Sequence, residues 1–315
     1  MSLRNHKRLF IILTAVLMLS VFGGGIHAIF FPGPAHAATT PPAYTTSYYK
    51  TTLNSTTMQN EGCTAAHGNP GLVVLDYGEQ YFSGGSYGAL LISANTFASD
   101  SSIQSNVIDF LRGANSCSIQ STQLKVAVGT SNYNSQHLTT AQLSAAGKAW
   151  AGIVNATNDY IHLNQRIQVY GADDIELGYS TYQEAKSFVD GFTTSTSATL
   201  VDYGDDPAGA SGDGSAGNWT PAQVWYVSSG APHTAALPEI YYSGNTPEWQ
   251  ALSAWACTNK GSALNIIGTM AQNGYQSSYM PAESWQSLYT ALSNSSNSCV
   301  RASASKLLYS TNIVS

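Results

Sequence analysis

Positive charge is scarce in this 315-residue chain: twelve Lys and Arg stand against eighteen Asp and Glu, and charged residues make up 10% of the whole. Three of the twelve, Arg4, Lys7 and Arg8, sit at the extreme N-terminus, and no basic cluster follows them. A nucleic-acid partner, which needs clustered Lys and Arg against phosphates, is therefore excluded. Metal-binding spacings are also missing. There is no CxxC, HxH or HExxH, and His67, His137, His162 and His233 are widely scattered. The P-loop pattern GxxxxGK[ST] is absent, and no GxGxxG lies directly between a strand and a helix. No cofactor is expected, and a metal site could only be a carboxylate-only magnesium or calcium site.

Long apolar runs are absent after residue 31. The one near the start, 9–22, follows the three basic residues and precedes Ala35-His36-Ala37. A positive start, an apolar stretch and a small-x-small site form a secretory signal peptide, with cleavage expected after Ala37. An uncleaved anchor is the rival reading, because the apolar stretch continues weakly to Phe31; three glycines, His27 and Pro32 interrupt it. Cleavage would leave nine basic against eighteen acidic residues, and a secreted protein with no membrane contact.

Cysteines number only four, Cys63, Cys117, Cys257 and Cys299, all beyond the expected cleavage site. An even count in an exported chain predicts two disulfides. Of three possible connectivities, Cys63–Cys117 with Cys257–Cys299 is favoured, stapling the two ends of the domain separately. Residues 38–60 read as a Thr/Ser/Tyr-rich N-terminal segment and 61–315 as a single domain, expected to be monomeric.

What the chain does contain is a rhythm. Short apolar runs occur at 72–76, 124–128, 167–172, 199–202, 236–241 and 264–268, each the length of a buried strand. A further strand is possible at 88–93, and another between 299 and 309. Helices are expected over 103–113, 141–157, 182–192, 221–229, 247–257 and 281–293. Capping-box patterns start three of the connecting segments, at Thr139–Gln142, Ser180–Gln183 and Thr220–Gln223. Pro221, Pro247 and Pro281 suit first helical positions. Alternating strands and helices predict a parallel sheet, best fitted by a (β/α)8 barrel, irregular or incomplete, with an open doubly wound sheet as the alternative.

Nine of the eighteen acids cluster at the ends of four such runs: Asp76 and Glu79; Asp173, Asp174 and Glu176; Asp202, Asp205 and Asp206; and Glu239. Carboxylates at the carboxyl ends of parallel strands build polar active sites. Side-chain parity selects Asp76, Asp174, Glu176, Asp202 and Glu239, leaving Asp205 and Asp206 as loop residues. Glycoside hydrolysis needs two opposed carboxyls, one to give a proton and one to attack or activate water. Glu176 is assigned as the general acid/base with Asp174 beside it, and Glu239 as the opposing carboxylate. Asp76 and Asp202 would orient the substrate or the pair. Tyr77, Tyr203, Trp219 and Tyr241 are candidate sugar-stacking residues.

The strand-end acids, above all Gly171-Ala172-Asp173-Asp174-Ile175-Glu176, resemble those of secreted bacterial glycoside-hydrolase-like TIM barrels. The resemblance implies a barrel with acidic residues at its strand ends, acting on a polysaccharide or cell-wall glycan. The chitinase pattern D-x-x-D-x-D-x-E is only partly echoed, since Gly171 replaces its first Asp. Two other readings stay open. One is a non-catalytic carbohydrate-binding or surface protein on the same scaffold. The other is a serine esterase in which Ser86 of Gly84-Gly85-Ser86-Tyr87-Gly88 attacks, with His233 and Asp202 completing a triad.

Overall fold

A computed structural model describes residues 40–117, 123–205, 213–275 and 278–314; the expected signal peptide, its cleavage site and Asp206 lie outside them. Along the chain run β1 (Thr45–Tyr49), α1 (Ser55–His67), β2 (Gly71–Ser83), β3 (Ser86–Leu90), β4 (Phe97–Ser99), α2 (Asp100–Cys117), β5 (Leu124–Ser131) and α3 (Thr140–Ile161). Then come β6 (Ile167–Asp174), α4 (Tyr182–Thr193), β7 (Leu200–Asp202), α5 (Pro221–Trp225), β8 (Thr234–Ala236), α6 (Asn245–Lys260), β9 (Gly268–Ala271), α7 (Pro281–Ser293), α8 (Ser298–Ser303) and β10 (Tyr309–Val314).

Because the runs are apolar at successive positions, both faces of each strand can be covered, as a parallel sheet requires. Eight strands pair in parallel in the order β8, β7, β6, β5, β2, β1, β10, β9. The ends of this row meet through isolated bridges, Ala236 with Ile266 and Glu239 with Met270. Backbone bonds at this seam include Ile267 N–H to Ala236 O at 2.9 Å and Met270 N–H to Pro238 O at 2.8 Å. Pro238 has no N–H to donate, which keeps β8 short and the seam sparse. The fold is thus a nearly closed, incomplete (β/α)8 barrel rather than an open sheet.

Alternate residues separate two apolar layers. Leu72, Val74, Ala127, Ala172, Val201, Leu237, Met270 and Ile313 fill the barrel. Val73, Leu75, Val126, Val128, Val169 and Leu200 face outward with the helices. Each fully buried aliphatic side chain of this kind contributes about 1.5–3 kcal/mol.

The segment expected to be loose supplies β1, inside the row between β2 and β10. Its Thr and Ser residues concealed the strand, because they look polar in sequence. In the barrel the hydroxyls of Thr45 and Ser47 are bonded: Thr45 donates to Leu72 O, Ser47 Oγ lies 2.7 Å from Thr311 Oγ1, and Val74 N–H donates to Ser47 Oγ at 2.8 Å. Lys50 is buried and paired with Glu61 at 2.6 Å, fixing the turn from β1 into α1. At the other end, the region expected to hold a strand before residue 309 begins with α8, and β10 follows it.

The expected helices form, with α1 and α8 in addition. The second capping box is shifted by one residue, to Thr181 and Glu184. Ser180 is already engaged, its Oγ accepting from Asn132 Nδ2 at 2.8 Å. Both predicted disulfides are present. Cys63–Cys117 ties α1 to α2 with Cα atoms 5.0 Å apart, and Cys257–Cys299 ties α6 to α8 at 6.0 Å. Among the described residues no helix is long and apolar enough to cross a membrane.

β2 continues past the barrel rim and folds back as an antiparallel ribbon with β3 and β4. Gly84 and Gly85 form its two-residue turn, with φ of 57° and 82° and Ser83 paired to Ser86. This is the geometry that Gly-Gly hairpins favour. The G-x-S-x-G pattern is therefore a hairpin tip, not a strand-to-helix elbow. His233 stands at the opposite end of the barrel, its carbonyl bonded to Leu200 N–H where β7 begins, while Asp202 lies at the end of β7. The esterase triad does not assemble.

Candidate functional site

Five acids from three strand ends, together with Asp205 after β7, line one cleft of about 590 Å³ at the carboxyl end of the barrel. Asp76 and Glu79 come from β2, Asp174 and Glu176 from the end of β6, and Glu239 from the segment after β8. The sequence argument thus brought Asp76, Asp174, Glu176 and Glu239 to one place. The ribbon forms one wall through Leu90, Leu91 and Ile92, and Tyr49, Tyr133, Tyr179, Tyr241, Tyr242 and Tyr275 contribute rings.

Each acid is held by its own strand end. Asp174 is opposite Ser131 in register, and Ser131 Oγ donates to Asp174 Oδ2 at 3.2 Å. Its other oxygen, Oδ1, is buried with no hydrogen-bond partner among the described residues. Glu176 is positioned through its backbone. Its N–H donates to Asn132 Oδ1 and its carbonyl accepts from Asn132 Nδ2, both at 3.0 Å. Asn132 is itself fully buried, so the turn carrying Glu176 is locked to β5. The Tyr179 hydroxyl bonds the Glu176 side chain, and its ring packs edge-on against Tyr133 at 4.9 Å. Glu239 follows the break imposed by Pro238, with its N–H on Gly204 O at 3.3 Å.

Burial dominates the electrostatics. It pushes the carboxyls of Glu239 and Asp174 well above their usual range. Nearby Tyr241 partly offsets this for Glu239, while Glu176 adds to it; for Asp174 the neighbouring Glu239 and Glu176 add to it. Asp76 is raised to about 6 by burial, restrained by the Gly78 N–H and by Tyr203. Four acids this close cannot all be ionised in a desolvated cleft, so at neutral pH the group holds protons ready to give. Glu79 is raised in the same direction by partial burial, restrained by Asn134 and His137. No Lys, Arg or His lines the cleft among the described residues.

Asp202 is placed elsewhere. It shares its face with Leu200, but that face points outward, to the helix layer, while Val201 points into the barrel. It accepts from Gly204 N–H at 3.2 Å and neighbours Asp173, which is opposite in register and accepts from Gln80 Nε2 at 3.0 and 3.1 Å. Among the aromatic candidates, Tyr241 lines the cleft. Tyr77 faces the helices, its hydroxyl donating to Asn106 Oδ1 at 3.0 Å. Trp219 is fully buried among the helices, donating to Ser180 O at 3.2 Å. Tyr203 lies inside the barrel below the cleft, donating to Thr130 O at 2.9 Å. These last three stack on protein, not on a ligand. Tyr49 escaped the sequence reading with the rest of β1; the alternation Thr45, Ser47, Tyr49 was the signal that could have placed it.

Neither protein-family comparison nor comparison with curated proteins gives a match to the chain. Among solved structures, a conserved exported protein from Bacteroides fragilis aligns with a TM-score of 0.44 and 8% identity, over 87% of this chain and 70% of that one. A xylanase-α-amylase inhibitor protein, solved with trehalose, aligns with a TM-score of 0.41 and 10% identity, over 86% and 92%. A structure described as a glycoside hydrolase gives 0.33 and 10%, over 79% and 69%. Likenesses this weak carry no functional argument.

Proposed function

We propose that this protein is a secreted hydrolase of glycosidic bonds, acting on a polysaccharide or cell-wall glycan in the cleft at the barrel mouth. The observation that carries this reading is the meeting of Asp174, Glu176 and Glu239 on one cleft, with burial keeping protons on part of the group. Cleavage needs one carboxyl to protonate the leaving oxygen and another, ionised, on the far side of the sugar. The sequence reading gave the proton to Glu176 and the opposing role to Glu239. Glu239 is the more deeply buried, at 6% exposure with its carboxyl pushed well up, and this favours the reverse: Glu239 protonates the leaving oxygen and Glu176 attacks or activates water. Asp174 stays protonated between them and donates to the reacting ring. Asp76 supports the pair from β2, two strands along from β6. Tyr133, Tyr242 and Tyr275, 45%, 39% and 47% exposed on the cleft wall, offer faces for sugar rings. The two disulfides suit an oxidising, extracellular setting.

The test is release of reducing ends from a panel of polysaccharides and peptidoglycan by the secreted protein, beside Glu176→Gln and Glu239→Gln. Each variant should lose activity by at least about 100-fold while keeping the melting temperature within a few degrees. Near-normal turnover in either removes that residue from the mechanism. Binding of glycans without turnover by the unmodified protein would leave a carbohydrate-binding protein.

A further inference from the structure

The charge of the cleft narrows the class of glycan. Asp76, Glu79, Asp174, Glu176, Asp205 and Glu239 line it, and among the described residues no cationic side chain does. A sugar chain bearing carboxylates or sulfates would meet the ionised members of this group with no cation to pair with, in a partly desolvated site where repulsion is weakly screened.

A buried polar atom, Asp174 Oδ1, shows that the cleft lacks a partner it is built to bond. Tyr241 is only 9% exposed, with its hydroxyl turned to Glu239 and Tyr49. Among the described residues Asp174 Oδ1 has no hydrogen-bond partner. Buried polar groups in native proteins are nearly always bonded, and an unbonded one calls for a missing water, ion or ligand group. Among the described residues no three cleft acids bring ligand atoms within 4.8 Å of one another, so an ion ligated by three of them does not fit the spacing. Among the described residues, the trio of ligand atoms close enough to converge on an ion is Cys63, His67 and Cys117, and its two sulfurs are already joined. The cleft acids are spread more widely, as an extended ligand with several donors would need. Rim tyrosines Tyr133, Tyr242 and Tyr275 favour a ligand with ring faces over a flexible polyamine.

We infer that the cleft binds an oligosaccharide carrying free amines, an amino-sugar chain lacking its N-acyl groups, with ammonium groups on the acids and hydroxyl or ammonium groups on Tyr241 and Asp174. This rests on the glycan reading above and names the substrate class of the same site.

The test is calorimetric titration of the full secreted protein with glucosamine hexamer, N-acetylglucosamine hexamer, an oligogalacturonate of equal length, and spermine, at two salt concentrations. Binding of the glucosamine hexamer should be at least about tenfold tighter than that of its N-acetylated counterpart, and should weaken as salt rises. Oligogalacturonate should not bind. Tyr241→Phe and Glu79→Gln should each reduce the glucosamine preference about threefold or more, with melting temperatures confirming the fold. Equal or tighter binding of the N-acetylated or acidic chain overturns the inference and leaves the glycosidase reading standing. Spermine binding as tightly as the hexamer overturns it in favour of amine recognition without a sugar. No binding of any of these chains overturns it, and only the absence of turnover on every glycan overturns the glycosidase reading with it.

Discussion

The same three residues, Asp-Tyr-Gly, stand where the regular parallel pairing of β2 and of β7 ends, and the barrel uses them in opposite senses. At β2, Asp76 points into the cleft and Tyr77 into the helix layer. At β7, Asp202 points to the helix layer and Tyr203 into the barrel. Local chemistry is shared: each Asp accepts from the N–H of the glycine two residues on, at 2.8 Å for Gly78 and 3.2 Å for Gly204. What differs is the phase of the strand. Leu72 and Val74 face the barrel interior on β2, whereas Val201, beside Asp202, does so on β7. A one-residue change of phase sends every side chain to the other face. The motif therefore fixes a turn, and the strand before it decides whether the acid is functional or structural.

The largest effect that can break this comparison comes from the two glycines. An added Cβ at Gly78 would lie 2.3 Å from Leu90 O, and the residue has φ +91°; at Gly204 it would lie 2.2 Å from Ile175 O with no unusual φ. Gly78→Ala should cost about 4 kcal/mol, combining overpacking with left-handed strain, and Gly204→Ala about 1–3 kcal/mol. Urea unfolding of both variants measures the gap. Equal costs would mean that the irregular register of β2 after Asp76 does not demand its glycine.

Next comes pH. Asp76 and Asp202 are both raised by burial to about 6 from 3.8. Their protonated forms fit the fold better than their ionised ones. The stability each contributes is complete below the unfolded value and is lost as pH rises through about 6, up to about 3 kcal/mol apiece. Asp202→Asn should therefore flatten the fall of melting temperature between pH 4 and 7, with activity close to that of the unmodified protein. Asp76→Asn should flatten it similarly and also lower turnover, on the order of 100-fold. If Asp202→Asn lowered turnover as much as Asp76→Asn, the division into cleft-facing and helix-facing acids would be lost.

Much of the fold was legible in sequence because a buried parallel strand announces itself by apolar residues at every position. The runs at 72–76, 124–128 and 167–172 became β2, β5 and β6. β1 was not legible, since Thr45 and Ser47 satisfy their hydroxyls on neighbouring strands, a bond that only the closed barrel supplies. Cleft residues were legible where a long strand preceded them, as with Asp76 and Asp174. For Asp202 the three-residue β7 is too short to reveal which of its faces is inside. Tyr77 and Trp219 look like sugar platforms in sequence; their polar atoms are instead bonded inside the protein, to Asn106 and Ser180.

The two tyrosines provide the smallest and most discriminating test. Phenylalanine at either position removes one buried hydroxyl and its hydrogen bond, from Tyr77 to Asn106 or from Tyr203 to Thr130. Each change should cost about 1 kcal/mol of stability, so unfolding alone cannot tell them apart. Their neighbours can. Tyr203 also lies within reach of Asp76 and restrains its pKa, whereas Tyr77 borders the outward-facing layer, near Glu61 and Asp109. Tyr203→Phe should move the Asp76 titration upward, shifting the acidic limb of the pH–rate profile to higher pH. Tyr77→Phe should leave that profile in place. Identical profiles for both variants would show that the Tyr203 hydroxyl does not restrain Asp76, which then owes its state to burial and the Gly78 N–H.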